Sequence, residues 1–275
     1  MIGYVSSKGE KNLLKRLLNI IEIEEFENGK KYLISKLNGK ILKELNKDNI
    51  KNIVLADKDK NNIDFINTVY SNGINILDGK KLFKHLIPEI VEYLSNVLGI
   101  NKQDMELTIL VNDYSNINLY YINELIFKVK RINIITNNIR KFKIFADRIY
   151  EKEAIVIPIM NNKKKSMANK SIMLNIDFSE EQLKKYRINR KAIIINIENN
   201  IYEINKTFYG ILINNYELNY RANINDFETN EIYESYLIGR DLKNVKEKIN
   251  KDDIKIKNFI GRNGIINLNE YMEKN

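Results

Sequence analysis

Few residue types in this chain are placed to do chemistry, and most of them are bases or amides. Two basic groups, Arg140, Lys141 and Lys143, and Lys163, Lys164 and Lys165, each follow an apolar run of strand-like composition, where an anion could be held. Asn137 and Asn138 precede the first group. Asn112, Asp113, Tyr114 and Ser115 follow another such run, and either Asp113 or Ser115 is expected to cap the next helix. Asp177 closes a fourth run. His85 is the only histidine, which excludes a multi-histidine metal site. At helical spacing it falls with Glu89 and Glu92 away from the leucines, and is read as solvated. The pairs Glu24 and Glu25, Glu180 and Glu181, and Asp252 and Asp253 sit in polar surroundings and read as surface. With no cysteine there is no thiolate nucleophile, disulfide or cysteine-ligated metal. No Gly-x-x-x-x-Gly-Lys-Ser/Thr loop occurs. The residues therefore name no catalytic group and no metal.

The elements that must position these groups follow from apolar periodicity. In residues 1–100, Ile2 to Val5, Tyr32 to Ile34, Ile53 to Ala56 and Ile74 to Leu77 read as strands. Leu13, Leu14, Leu17, Leu18 and Ile21 share one helical face. So do Leu82, Phe83, Leu86, Ile87, Ile90, Val91 and Leu94, in a helix that Pro88 either kinks or restarts and Gly99 ends. Beyond 105 the rhythm is regular. Leu107 to Val111, Ile132 to Thr136, Ile155 to Met160, Ile172 to Ile176, Ala192 to Ile197 and Gly210 to Ile213 read as six strands, the first three separated by amphipathic helices. Continuous apolar strands alternating with helices require a parallel sheet covered on both faces. A long helical stretch is expected from Asp226 to Ile249, then a turn at Gly261 to Gly264. The expected organisation is α/β throughout: an N-terminal α/β domain with a bridging helix (1–100), a six-strand, mostly parallel domain (101–225), and a C-terminal helix with a tail (226–275).

Charge is unevenly spread. The formal total is +9, but Lys128 to Lys191 holds seventeen Lys and Arg against six Asp and Glu, so the rest of the chain sums to −2. A basic region of this kind has the electrostatic means to contact phosphates, which keeps nucleic acid among the candidate partners. No apolar run reaches the length of a membrane helix and no signal peptide is recognisable at the start, so no membrane partner and a cytoplasmic location are expected.

The order of elements resembles the shikimate dehydrogenase and glutamyl-tRNA reductase group, with a Rossmann-like second half. Three segments carry the resemblance: Ile134 to Phe142 (IITNNIRKF), similar to that group's second strand and turn; Ser171 to Asp177 (SIMLNID), similar to the strand that passes the nicotinamide; and Glu231 to Gly239 (EIYESYLIG), similar to its closing helix. The resemblance implies an NADP-linked oxidoreductase, with Asn137, Asn138 and Arg140 beside the ribose phosphate. The chain departs from it at the turn after the first strand, where glycines let the backbone approach pyrophosphate. Here that turn reads Asn112-Asp113-Tyr114-Ser115, and no glycine occurs between Gly99 and Gly210. Asp113 would repel a phosphate by about 4 kcal/mol at 4 Å in a surface-like dielectric, against at most about 2 kcal/mol returned by a helix N-terminus. The family's substrate-domain motifs also have no match in residues 1–100. The expectation is a non-catalytic ligand-sensing or partner-binding protein without a cofactor, whose candidate ligand is a phosphorylated small molecule.

Overall fold

The computed structural model describes residues 1–8, 18–26, 29–221, 224, 226–238, 242–268 and 270. The chain divides into two compact units, Met1–Leu82 with Leu218–Ile254, and Phe83–Glu217 with Lys255 onward. The division falls at residue 82 rather than near 100, and residues 218–254 belong with the first unit.

In the first unit, β1 (Ile2–Ser7), β2 (Ile21–Phe26), β3 (Gly29–Ile34), β4 (Asn52–Leu55) and β5 (Asn75–Ile76) form one sheet in the order β2-β3-β1-β4-β5. The pairings of β1 with β3 and β4, and of β4 with β5, are parallel; β2 runs antiparallel to β3 at the edge. Leu13, Leu14 and Leu17 of the expected first helix lie outside the described residues, Leu18 is exposed, and Ile21 opens β2. Asn38 caps α1 (Gly39–Lys47) and Asn62 caps α2 (Ile63–Ser71), each side chain accepting a backbone N–H of the first turn. These helices bury Ile41, Leu42, Leu45, Phe65 and Val69 against the sheet.

Pro88 restarts rather than kinks. One helix, α3 (Lys80–His85), ends before it, and α4 (Ile87–Leu98) carries it in the first turn, where its missing N–H has no helical partner to lose. Gly99 then closes α4 at φ 63°.

The second unit contains β6 (Glu106–Leu110), α5 (Asn116–Ile126), β7 (Arg131–Ile135), α6 (Ile139–Glu153), β8 (Ile159–Met160), β9 (Ile172–Asn175), α7 (Glu180–Lys184), β10 (Ile193–Asn196) and β11 (Ile211–Ile213). The six strands lie in the order β11-β10-β9-β6-β7-β8, and all five neighbouring pairs are parallel. Read by position along the chain this is the Rossmann order 3-2-1-4-5-6. Of the run Ile155 to Met160 only Ile159 and Met160 form β8; Pro158 ahead of them accepts the Ile134 N–H but has no N–H to give to the ladder.

Three short strands close the chain: β12 (Asn215–Leu218), β13 (Ile256–Gly261) and β14 (Gly264–Ile265), in one sheet of that order. The expected turn at Gly261 to Gly264 is the β13–β14 hairpin, with Gly264 at φ 101°. The expected long helix is two helices, α8 (Thr229–Leu237) and α9 (Leu242–Lys251), because Ile238 is extended at ψ 137°.

In the first unit α8 completes a core: Ile232 joins Ile2, Tyr4, Val54, Ala56, Leu77 and Phe227, and Tyr4 Oη lies 2.6 Å from Ser235 Oγ. The loop after β5 packs close against it, since a Cβ on Gly79 would meet the Asn230 side chain at 2.5 Å. The same helix buries Glu234, 4% exposed, which accepts the Gly79 N–H. Burial and then the neighbouring Asp78 push this carboxyl up to about 7, with Lys81 opposing. A carboxyl raised on folding adds stability below its unfolded value near 4.5, and that stability is lost as pH rises through about 7. Denaturant titrations should therefore show stability falling between pH 4.5 and 7, and Glu234→Gln should remove most of that slope. At pH 8 the variant should be the more stable by up to about 3 kcal/mol. An unchanged pH slope in the variant would assign the effect elsewhere.

Candidate functional site at the carboxyl edge of the second sheet

Parallel strands bring the ends of β6 to β11 to one edge, where ligands of such sheets bind. At the end of β9, Asp177 turns its carboxylate into the turn after β6. Oδ1 and Oδ2 accept the Asn112 N–H at 2.8 and 2.9 Å, and Oδ2 accepts the Asp113 N–H at 2.6 Å. These amides belong to the turn that, in a dinucleotide-binding Rossmann unit, faces pyrophosphate. Burial raises the Asp177 carboxyl above the ordinary range, and Glu198 and Asp113 add to this, while the two N–H groups pull it back.

The network continues across the sheet. Asn112 Oδ1 accepts the Asn137 N–H at 2.8 Å, and Asn137 Oδ1 accepts from Lys163 Nζ at 3.2 Å and Asn161 Nδ2 at 3.3 Å. Lys163 also donates to Asn161 Oδ1 at 2.7 Å and to the Tyr186 hydroxyl, with its ammonium 3.8 Å from the centre of that ring. Burial, then Lys185, holds the Lys163 ammonium below its usual range. On the other side, Asn175 Nδ2 donates to Asn196 Oδ1 at 2.9 Å, and Asn196 Nδ2 to Asn214 Oδ1 at 3.0 Å, all three side chains buried. Asn214 Oδ1 also accepts the Ile201 N–H and its Nδ2 donates to the Ile201 carbonyl, which fixes the loop after β10. Each of the six strands thus ends at or within two residues of an asparagine, and these amides link neighbouring strand ends.

Of the residues picked out by sequence, Asn112, Asp113, Asn137, Lys163 and Asp177 come together. Asn138 donates its N–H to Thr136 Oγ1 at 2.9 Å and faces its own turn. Arg140 and Lys141 are exposed, with Lys141 Nζ 6.0 Å from the Tyr114 ring centre. Lys164 and Lys165 are exposed; both donate backbone N–H groups to Asn162 Oδ1, and Lys165 also bonds the turn through the Asn162 carbonyl and the Ala168 N–H. Neither expected cap forms. Ser115 stands at the N-cap of α5, but its Oγ is buried and makes no bond among the described residues, while the Asp113 carboxylate accepts from Asn118 Nδ2 instead. His85 is not solvated. Its Nδ1 lies 2.7 Å from the Tyr121 hydroxyl, and burial, then Lys84, lowers it to about 4, so the ring is neutral at pH 7. The Glu180 carboxylate holds the N–H groups of Tyr202 and Glu203, and Asp252 holds the Tyr233 hydroxyl, so both fix local structure.

Sequence reading missed Asn161, Asn175, Asn196, Asn214, Tyr186 and Glu198. The available signal was an asparagine recurring at strand ends, hidden by the abundance of asparagine elsewhere. It also missed a carboxylate group in the first unit, Asp57, Glu228 and Glu231, whose oxygens lie within 4.8 Å of one another. Lys60 Nζ sits among them at 2.7, 3.3 and 2.7 Å, so the group holds an ammonium.

The edge is also sorted by charge. Within 111–115, 176–181 and 197–203, after β6, β9 and β10, there are six acidic residues and no base; within 136–141 and 161–165, after β7 and β8, there are five bases and no acid. At the ends of β6 and β9, where the strand order reverses, Asp113 and Glu198 stand close enough to Asp177 to act on its carboxyl, and Lys84 joins at 2.5 Å from Glu198.

No protein-family model matches the chain, and no curated protein matches it in sequence. Among solved structures it is similar to the crystal structure of L-tryptophan dehydrogenase from Nostoc punctiforme, with a TM-score of 0.42 and 11% identity over 90% of this chain and 78% of that one. A likeness of that strength carries no functional argument, and the Rossmann-like assignment rests on strand order and parallel pairing. No helix among the described residues is long and apolar enough to cross a membrane.

The asparagine ladder makes a graded prediction. Asn196→Ala removes the buried bonds to Asn175 and Asn214 and should cost about 2 to 4 kcal/mol in urea denaturation, whereas Asn161→Ala, nearer solvent, should cost under about 1 kcal/mol. Equal losses would mean that the buried amides do not determine the stability of this edge.

Proposed function

We propose that the protein is a non-catalytic, Rossmann-like binding protein whose dinucleotide turn is occupied by its own Asp177 carboxylate. A single observation carries this reading: both amides at the start of the turn, those of Asn112 and Asp113, are already bonded to that side chain. An incoming pyrophosphate would have to displace it and then sit beside Asp113, Asp177 and Glu198. A phosphorylated small molecule finds its counter-charges instead after β7 and β8, at Arg140, Lys141 and Lys163 to Lys165. No NADP-linked reaction is assigned, because Asp113, Asp177 and Glu198 gather at the strand ends where the strand order reverses.

The test is a thermal-shift series on the full chain. NAD and NADP should leave the midpoint unchanged. A mononucleotide or sugar phosphate at a hundred times its dissociation constant should raise it by roughly 5 to 10 °C, from about 2.7 kcal/mol of binding linkage, and Lys163→Gln with Arg140→Gln should remove the rise. A shift with NADP that survives those substitutions would overturn the reading in favour of the oxidoreductase.

A second expectation isolates the turn. Asp177→Ala leaves the Asn112 and Asp113 N–H groups without their acceptor and should lower stability by about 1 to 3 kcal/mol. Millimolar sulfate should restore part of that loss while leaving the unsubstituted protein unaffected. Failure of sulfate to discriminate the two proteins would mean the turn is not an anion nest.

A further inference from the structure

The opposite edge of the second sheet has a different charge. The segments that lead into its strands are 102–106, 127–131, 154–157, 170–171, 189–192 and 206–210, and they hold eight Lys and Arg against two acids, Asp104 and Glu106. Strand order places them in a row: Arg190 and Lys191 ahead of β10, Lys170 ahead of β9, Lys102 ahead of β6, and Lys128, Lys130 and Arg131 at the start of β7. Neighbouring strands lie about 4.8 Å apart, so the row from β10 to β7 covers about 14 Å. Lys128, Lys130, Arg131, Lys170 and Arg190 form no ion pair among the described residues, and all but the half-buried Lys170 are exposed. Lys102 reaches Glu92 at 3.3 Å, and Glu106 stands opposite Arg131 in the β6–β7 register. Each end of the row carries an exposed ring. Phe127 precedes Lys128 and is 59% exposed; Tyr209 is 56% exposed and donates its backbone N–H to the Arg190 carbonyl.

We propose that this amino edge binds single-stranded nucleic acid, with the basic row following the phosphates and Phe127 and Tyr209 stacking on bases. Unpaired cations in a row confer sequence-independent attraction for a polyanion, and exposed aromatic rings at its two ends distinguish a nucleic acid from an anionic surface, since every base has a stackable face. At the roughly 3.4 Å between phosphates of a stacked strand, a row of about 14 Å spans about four nucleotides, the lower end of the footprint of compact single-strand binders. The proposal is independent of the small-molecule reading, because the two use opposite edges of the sheet and share no residue.

The test is fluorescence anisotropy of the full chain with labelled oligo-uridine and oligo-thymidine probes, each about 12 nucleotides long. Saturable binding at low salt is expected, weakening about 100-fold between 50 and 200 mM salt if about five phosphates are neutralised. The combined variant Lys130→Glu, Arg131→Glu and Arg190→Glu should bind at least 10-fold more weakly with an unchanged thermal midpoint. Milder Gln versions guard against a folding effect. Phe127→Ala and Tyr209→Ala should each weaken binding about 5-fold or more. Lys143→Glu, exposed near the start of α6 at the other edge, should leave binding unaltered. Comparison of the two probes reads any preference between RNA and DNA. Absence of binding at low salt would overturn the proposal, as would dependence on the carboxyl-edge lysines instead. Retention by anionic vesicles without oligonucleotide binding would also overturn it.

Discussion

A parallel sheet sends every strand's carboxyl end to one edge and every amino end to the other, and the chemistry of the second unit follows from that sorting. Residues spread through more than a hundred positions of sequence become two short rows. One row is rich in amides and carries acids where the strand order reverses. The other is basic, with an aromatic ring at either end. Of the seventeen bases from Lys128 to Lys191, five fall at the ends of β7 and β8 on one side and six at the amino edge on the other. Composition alone could locate the excess in the chain but could not divide it, because only pairing decides which segments are neighbours.

The turn after β6 shows how one side chain can replace a ligand. A glycine-rich turn leaves backbone amides open and depends on an external anion to satisfy them. In this chain the turn has side chains, and the amides are satisfied from within by Asp177, whose own burial is tolerated because backbone N–H groups meet both oxygens. Asn112 then passes the connection to Asn137, so the carboxylate also holds the turns of two adjacent strands in place. The absence of glycine and the presence of Asp177 are two parts of one arrangement.

Much of this fold was legible in the sequence. Five of the six strands of the second unit were read at nearly their observed positions, and the third was read too long; buried parallel strands are continuous apolar runs, and β9 and β10 are buried at every residue. What failed has physical causes. Strand β2, IEIEEF, is an exposed edge whose isoleucines alternate with glutamates, and its first residue fitted a helical face equally well. Helices α8 and α9 read as one although a compositional signal was present, since Gly239 directly follows the extended Ile238 where α8 ends. His85 looked solvated because its partner, Tyr121, lies 36 residues away on another helix. At the site, Asp113 and Asp177 were both noticed, but their relation through the backbone of the first and the carboxylate of the second has no signature in spacing.

The first unit is discontinuous, and that has a consequence for how the protein is made. Its sheet is complete once residue 76 has been synthesised, yet α8, which covers Tyr4, Val54 and Leu77, does not emerge until after residues 83–217. At about 5 to 20 residues per second, the wait from residue 82 to residue 254 is on the order of 10 to 30 s. Throughout that interval the nascent chain presents an apolar sheet face with no cover of its own, while the second unit's strands are already emerging behind it. Birth order on the ribosome therefore leaves the first unit unfinished until most of the second has been made, and the two are completed one after the other by residues 218–254 and then 255 onward.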